Sequence, residues 1–537
     1  MKSSMKTWGA LITLALTLFL VVVDTTIMNV SITALVQDLN TTVSGVQAAI
    51  SIYALVMAAF ILIGSKLSDI FGKKRIFMLG LIFYMIGTTW ASFSTNLAML
   101  IIGWSILEGI GGALMLPNIP VLLQSNYKDG KLSFAYGIIG VVGTISAGMG
   151  PMIGSLFTTY ASWRGAFLAG LLLALIIFAL SRSLKQGKAL EHKPKFDFLG
   201  AGLSIFGWSG IVLGILLAQT YGVFFATNPF MIGSYAFAPF GLSITPILVG
   251  AGFIIIILLF RWERHLEQAG KDGLFKPSIM QIDGMRAGLS VRAIQVGVSA
   301  AFLYIFPLML QLSFSYTAIE AGFAMMPFSI GLLLFAIIGS KLSARFTAKR
   351  IIQVGFLMTF IGLIGVGSRI VPDINPAELL MGSFLGAGLG LIASQILNLI
   401  LSSVSMKNIS ETSGLIGTFE QLGAAVGIAL AGVIMLTVLS TSLENQISVH
   451  PSLPTEINAA LITAVEDGVQ LASNEQLEAS LAALSISAEM ETALFEIYHI
   501  ARTDAFRAGI ALLIYSTLLG SIFALGLPNR KLLDKKT

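Results

Sequence analysis

Fourteen long apolar runs divide this chain, and each has about the length of a helix that crosses a membrane. A spanning helix needs roughly 20 apolar residues. Only 11% of the 537 residues are charged and 56% are hydrophobic, whereas soluble domains carry about 25% charge. The runs lack the strict alternation of barrel strands, so they predict an all-α polytopic membrane protein. They lie at about 8–34, 46–65, 76–93, 97–123, 132–158, 165–181, 199–219, 244–260, 287–311, 318–340, 351–368, 377–404, 412–440 and 503–527.

The distribution of basic residues tests this count, because Lys and Arg concentrate in cytoplasmic loops. With the N-terminus inside, 28 of the 32 basic residues fall in inner segments, and the exceptions are Arg164, Arg369, Arg502 and Arg507. The segment 441–501 holds nine acidic residues and no Lys or Arg, which places it outside. Its apolar spacing suggests short surface helices. Both termini are therefore predicted to be cytoplasmic.

One loop sequence occurs twice, which predicts two related halves. Residues 63–76 and 338–351 share ten of fourteen residues at an offset of 275. Parallel repeats build two pseudo-symmetric helix bundles in many transporters, and the offset leaves spans 7 and 8 as an insertion. The predicted organisation is an N-terminal six-helix bundle at 1–181, a linker with two extra transmembrane helices at 182–286, a C-terminal six-helix bundle at 287–527 including the outside loop 441–501, and a cytoplasmic tail at 528–537.

The loop after span 2 combines an acid, a glycine and basic residues, namely Asp69, Gly72, Lys73, Lys74 and Arg75. Glycine permits a tight turn there. Asp69 is placed to meet a helix N-terminus or a cation across the bundle interface, which predicts a gating contact. The alternative is that the loop only sets the topology through its positive charge.

Span 5 carries small residues at helical spacing, together with a proline: Gly137, Ser146, Gly150, Pro151 and Gly154. Ser146, Gly150 and Gly154 lie four residues apart, so they form one stripe that lets another helix approach closely. Pro151 removes a backbone hydrogen bond and bends the helix at that point. Ordinary close packing is the alternative for each glycine alone.

Three acids lie deep in the spans: Asp24 in span 1, Glu108 in span 4 and Glu420 in span 13. An ionised acid inside a membrane costs several kcal/mol unless it is paired, hydrated or protonated. We therefore predict that these acids line a central cavity and that at least one of them carries the coupled proton, although each could simply be hydrogen-bonded to a neighbour. Asn29 and Gln311 are further candidates for the cavity wall.

Four segments together resemble the major facilitator superfamily, and within it the fourteen-helix drug:proton antiporters (drug:H+ antiporter family 2). The loop Ser65–Arg75 resembles the superfamily's cytoplasmic signature. Span 5 resembles the antiporter signature Gly-x8-Gly-x3-Gly-Pro-x2-Gly-Gly, with Ser at two of the Gly positions. Asp24 to Val30 resembles the span 1 pattern Leu-Asp-x-Thr-x-x-Asn-Val. Span 4 resembles Arg-x-x-Gln-Gly-x-Gly, but Ser105 stands at the Arg position and Glu108 at the Gln position.

This resemblance implies a major facilitator fold with two six-helix bundles plus two inserted helices. It implies a secondary active exporter of hydrophobic or cationic drugs, driven by protons, with no enzymatic activity, cofactor or metal. We expect the partners to be a lipophilic small molecule, protons and the bilayer of the cell membrane, with no nucleic acid, and we expect a monomer. Two alternatives stay open: export of an endogenous lipid or metabolite, and a non-transporting membrane sensor of the same fold.

Overall fold

The predicted all-α membrane architecture is confirmed by a computed structural model, which describes residues 2–186, 195–232, 234–370, 380–405, 408–450, 455–466, 469–482 and 486–529. Within these ranges, fourteen helices are long and apolar enough to cross a membrane, and they match the fourteen predicted runs in order. Residues 187–194 of the predicted linker and 530–537 of the predicted tail lie outside the described residues. Spans 1 to 14 are Trp8–Val30, Val43–Phe71, Lys73–Ser92, Leu97–Asn126, Phe134–Tyr160, Trp163–Ser183, Phe198–Tyr221, Ile244–Gln268, Met285–Ser313, Ala318–Leu342, Ala348–Gly367, Gly382–Ser402, Ile409–Val449 and Ala488–Leu525.

The last two spans are longer than their apolar runs. Span 13 continues to Val449 and span 14 already begins at Ala488, because backbone hydrogen bonding continues where the apolar sequence has ended. Two shorter helices, Thr455–Glu466 and Asn474–Ala482, lie between them. The predicted outside loop is therefore largely helical.

The two halves of the chain repeat one pattern of helix contacts. Span 1 packs against spans 5 and 6, and span 9 packs against spans 13 and 14. Span 4 packs against spans 2 and 3, and span 12 packs against spans 10 and 11. These pairs are equivalent when the spans are counted in order along each half, as parallel repeats require. The residue boundaries of the two bundles remain a prediction.

The halves meet mainly along two seams, one between spans 2 and 13 and the other between spans 5 and 10, and span 9 also contacts the outer end of span 1. The inserted spans 7 and 8 pack mainly on each other, and span 7 also contacts spans 2 and 13. A small antiparallel hairpin, Phe230–Ile232 with Tyr235–Phe237, lies between spans 7 and 8. The inserted pair therefore covers the seam between spans 2 and 13.

Candidate functional site

Two acidic side chains from different helices meet inside the amino-terminal half. Asp24 lies in the outer part of span 1, and Glu108 lies near the middle of span 4. The two carboxyl groups lie close enough to influence each other electrostatically. Asp24 is 9% exposed and Glu108 is fully buried. The structure thus joins two of the three acids that the sequence singles out, and in this conformation it encloses them within the bundle.

Trp104 fixes the position of Asp24. Its indole Nε1 donates a 2.9 Å hydrogen bond to Asp24 Oδ2. The indole is fully buried, and it stacks on Tyr53 with ring centroids 5.0 Å apart. Sequence reasoning missed Trp104, and the only signal was its position four residues before Glu108 in an apolar span.

Glu108 faces span 3 as well as span 1. Its carboxyl lies beside Tyr84 and Thr88, but within the described residues neither of its oxygens makes a well-formed hydrogen bond. Span 3 comes this close because Gly87 has no side chain: a Cβ there would lie 2.5 Å from the Glu108 nitrogen. Close packing of the helices therefore holds Glu108 in place, and its carboxyl group has no strong hydrogen bond.

The backbone of span 4 is unusual where it carries these side chains. Residues Ile101–Glu108 form a π-helical stretch, which is followed by the α-helix Gly109–Met115. Such stretches are rare and occur often at functional sites. Ser105, which stands at the position of the family's Arg, donates a 2.7 Å hydrogen bond to Ala49 O of span 2. The departure from the family motif is thus accommodated by a neutral contact between helices.

The small residues of span 5 pack against the part of span 1 that carries Asp24. A Cβ at Gly150 would overlap the Thr26 hydroxyl, and one at Gly154 would lie 2.8 Å from Ile27 O. Larger residues at these two positions would push span 1 away from span 5. The stripe therefore helps to set the position of Asp24.

The other residues of the span 5 motif differ in their surroundings. Ser146 is buried and bonds to Val142 O of its own helix at 2.6 Å. Pro151 lies inside the helix Asp129–Tyr160. Gly137 is exposed, and no described atom lies within 4 Å of where its Cβ would be. The close contact is thus confined to the outer part of the span.

The loop after span 2 places Asp69 at the start of span 13. The Asp69 carboxylate accepts from the Lys73 ammonium and from the Ser410 hydroxyl at 3.5 Å. Lys73 also donates to Ser410 Oγ at 2.9 Å. Because Ser410 is in the first turn of the helix Ile409–Val449, the carboxylate lies near the positive end of that helix.

The rest of this loop contacts the segment after span 6. Gly72 ends span 2 with φ +101°, a backbone conformation that favours glycine. Lys74 Nζ donates to Leu184 O at 2.8 Å, whereas Arg75 is exposed. Asp69 and Lys73 therefore make the contact across the seam, and Lys74 makes a contact within the amino-terminal half.

Glu420 lies apart from the pair of acids, in an ion pair of its own. Arg292 of span 9 approaches Glu420 Oε1 at 2.6 Å through Nε. The same guanidinium donates to Gln295 Oε1 at 2.6 Å. Glu420 is therefore neutralised within the carboxyl-terminal half and does not join the other two acids.

Asn29 and Gln311 lie where span 1 meets span 9 at its outer end. Gln311 Nε2 donates to Val30 O at 3.2 Å, and Gln311 Oε1 accepts from the Thr33 hydroxyl. Asn29 is buried and donates to Thr25 O of its own helix at 3.3 Å. Gln311 thus bridges the two halves in this conformation.

A family model matches almost the whole chain. The Major Facilitator Superfamily model covers residues 14–270 and 289–528. This chain belongs to the Major Facilitator Superfamily. The first matched section includes the inserted spans 7 and 8, so the superfamily assignment extends over them as well.

Transporters of this superfamily resemble the chain along most of its length. It is similar to the "Probable actinorhodin transporter" of Streptomyces coelicolor, with 27% identity over 78% of this chain and 70% of that protein. It is also similar to the tetracenomycin C resistance and export protein of Streptomyces glaucescens, with 25% identity over 80% and 76%. The structure of a bacterial homolog of the human lysosomal transporter Spinster, inward-facing and unoccupied, matches with TM-score 0.58 and 14% identity over 97% and 98%. The chain is a multi-pass membrane transporter and not an enzyme.

Proposed function

We propose that this transporter is a proton-coupled antiporter of the cell membrane that exports hydrophobic or cationic small molecules by alternating access. The observation that carries the proposal is that Asp24 and Glu108 are both buried inside the amino-terminal half, within electrostatic range of each other. The names of two relatives, an antibiotic transporter and an antibiotic resistance and export protein, support the direction of transport and the class of substrate.

The pair of acids supplies a means of coupling. Two carboxylates at short range repel each other, and an ionised acid inside a membrane is costly. One proton shared by Asp24 and Glu108 relieves both penalties, and loss of that proton restores them. A bundle that takes up this proton from the outside and releases it to the inside couples inward proton flow to a conformational cycle.

The surroundings of the pair suit a lipophilic cation. Tyr53, Tyr84 and Trp104 place three aromatic rings around the two carboxyl groups, and aromatic faces attract cations. A deprotonated pair adds negative charge to the same place. Because the acids are enclosed in this conformation, the substrate reaches them only after the helices rearrange. We expect the protein to complete this transport cycle as a monomer.

The proposal can be tested with purified protein in proteoliposomes that carry an imposed pH gradient. We expect wild-type protein to move a fluorescent lipophilic cation against the proton flow. Glu108→Gln and Asp24→Asn should each lower this rate by about 5- to 150-fold, the size expected when a coupling free energy of roughly 1–3 kcal/mol is lost. The matched control is Glu489→Gln, the same change at an exposed outside residue, and it should keep the wild-type rate.

Two results would count against the proposal. Full pH-driven transport by both single variants would remove the pair from the coupling step. The second result is transport of a neutral lipid in an assay where none of a set of lipophilic cations is transported. It would favour the alternative that the protein exports an endogenous lipid.

A further inference from the structure

Gln47, near the outer end of span 2, joins three other helices through one side-chain amide. Its Oε1 accepts from Tyr304 OH of span 9 at 3.1 Å and from Gln219 Nε2 of span 7 at 3.1 Å. Its Nε2 donates to Ile428 O of span 13 at 2.9 Å. One amide thus connects the amino-terminal half, the carboxyl-terminal half and the inserted pair.

The surroundings of Gln47 are built to hold this amide. Gln47 and Tyr304 are each 1% exposed. Gly432 of span 13 leaves the necessary space, because a Cβ there would overlap the amide of Gln47. A buried amide needs partners for its donors and acceptor, and these partners come from three separate elements.

The inserted pair is also bound to span 2 below this point. Val212 of span 7 belongs to a small apolar cluster with Ala54, Leu55 and Ala58 of span 2. At the inner end, Lys66 of span 2 and Glu263 of span 8 are both buried, with 6% and 0% exposure, and they lie within electrostatic range of each other. The amide of Gln47 and the apolar cluster therefore tie the inserted pair to span 2.

The ties between the inserted pair and the carboxyl-terminal half are of another kind. The same apolar cluster includes Leu422 and Ala425 of span 13, which offer no polar group to span 7. Lys276, in the connection after span 8, pairs with Glu411 at 3.3 Å, but its side chain is 44% exposed. Exposed ion pairs of this type contribute little.

We propose that Gln47 is a gating residue and that spans 7 and 8 form a fixed flank of the amino-terminal half. The bonds from Gln47 to Tyr304 and Ile428 hold the outer end closed, and they break when that end opens. The bond to Gln219 stays, so the buried amide keeps one partner in both states. This inference rests on the alternating access in the proposed function and gives the inserted pair a role in it.

Distances between spin labels can test this without any transport assay. The chain has no cysteine, so pairs of labelled cysteines can be introduced directly. Exposed sites are available on the amino-terminal half, the inserted pair and the carboxyl-terminal half, namely Gln37, Thr220 and Asn445. Pulsed dipolar spectroscopy on Gln37→Cys with Asn445→Cys reports opening of the outer end, and Gln37→Cys with Thr220→Cys reports movement of the flank.

We expect Gln47→Leu and Tyr304→Phe to raise the population of long Gln37–Asn445 distances several-fold. Tyr304→Phe removes one hydroxyl only, so it tests the gate even if Gln47→Leu folds poorly. The Gln37–Thr220 distances should be the same in every variant. Gln219→Leu, the matched control, should lower the melting temperature and leave the Gln37–Asn445 distances unchanged.

Two results would overturn the inference. The first is a change in the Gln37–Thr220 distances that accompanies opening, because the inserted pair would then follow the other half. The second is a loss of thermal stability in Gln47→Leu and Tyr304→Phe with no change in any distance, which would make Gln47 merely structural. Because these measurements need no proton gradient, they can succeed or fail independently of the flux assay.

Discussion

The two seams between the halves of this transporter are built from different chemistry. We call the contact of spans 2 and 13 the polar seam, and the contact of spans 5 and 10 the small-residue seam. The polar seam is joined by hydrogen bonds at its inner end, its middle and its outer end: Ser65 Oγ to Ser410 O at 3.2 Å, Thr418 Oγ1 to Ala58 O at 3.3 Å, and Gln47 Nε2 to Ile428 O at 2.9 Å.

The small-residue seam has close backbone approach instead. A Cβ at Gly322 would overlap the Ser155 hydroxyl, and one at Gly148 would lie 3.3 Å from Ser329 Cβ. Further toward the inner end, no described atom lies within 4 Å of where a Cβ of Gly140 would be. The closest approaches in this seam thus lie in its outer part, whereas Gly140, nearer the inner end of span 5, has open space beside it.

The difference indicates how the two seams can share one movement. Hydrogen bonds are directional, so the polar seam has defined closed positions and changes by breaking particular bonds. Contacts between small residues depend on distance more than on direction, so those helices can pivot while they stay close. We therefore assign latches to the polar seam and a pivot to the small-residue seam.

The largest effect is expected from filling the small-residue seam. Gly322→Leu forces a side chain into the space of Ser155, and overpacking of this kind costs roughly 1–3 kcal/mol. We expect the initial rate of substrate transport to fall by about 10-fold, since about 1.4 kcal/mol corresponds to a factor of ten. Gly140→Leu, on the open part of span 5, should transport normally. Normal transport by Gly322→Leu would show that the close contact is not needed in the cycle.

An intermediate effect is expected at the inner latch of the polar seam. Asp69→Asn weakens the contacts to Lys73 and Ser410. Loss of about 1 kcal/mol from one state changes the ratio of the two states by about fivefold. Spin labels at the exposed residues Arg75 and Arg350 should therefore report more open inner ends. Arg345→Gln, in the second copy of the loop, is the control, and an equal shift in that variant would argue against a latch at Asp69.

The smallest effect is expected in the middle of the polar seam. Thr418→Val removes one hydrogen bond to Ala58 O, and such bonds between membrane helices average about 0.6 kcal/mol. The melting temperature in detergent should fall by only about 1 °C, with an unchanged distribution of spin-label distances. A shift of the spin-label distances as large as that of Asp69→Asn would mean that the strength of this seam is spread evenly along its length.

The sequence predicted the architecture of this protein well because a membrane constrains it so strongly. The lengths of the apolar runs and the preference of Lys and Arg for the cytoplasmic side were enough to predict fourteen spans in the right order. All four basic residues that broke the charge pattern have interaction partners. Arg164 pairs with Asp38 at 2.6 Å, Arg502 donates to Ala472 O at 2.8 Å, and Arg507 donates to Ile370 O at 3.0 Å. Exceptions to the charge rule thus mark tertiary contacts.

The details of the site were less predictable, because they depend on how distant helices cross. The acids and the stripe of small residues could be found from residue type and spacing alone. That Trp104 bonds to Asp24, 80 residues away, depends on how spans 1 and 4 cross, which leaves no periodic signal in the sequence. Gln47 looked like any polar residue at the start of a span, since its partners come from three other helices.

The central claim is that the pair formed by Asp24 and Glu108 holds the coupled proton. Its most direct test is the release of protons on addition of substrate to purified protein in weakly buffered detergent, followed with a pH indicator. The account predicts release by the wild type and by Glu489→Gln, and none by the double variant Asp24→Asn with Glu108→Gln. Release of the full wild-type amount by a folded double variant that still binds substrate would contradict it.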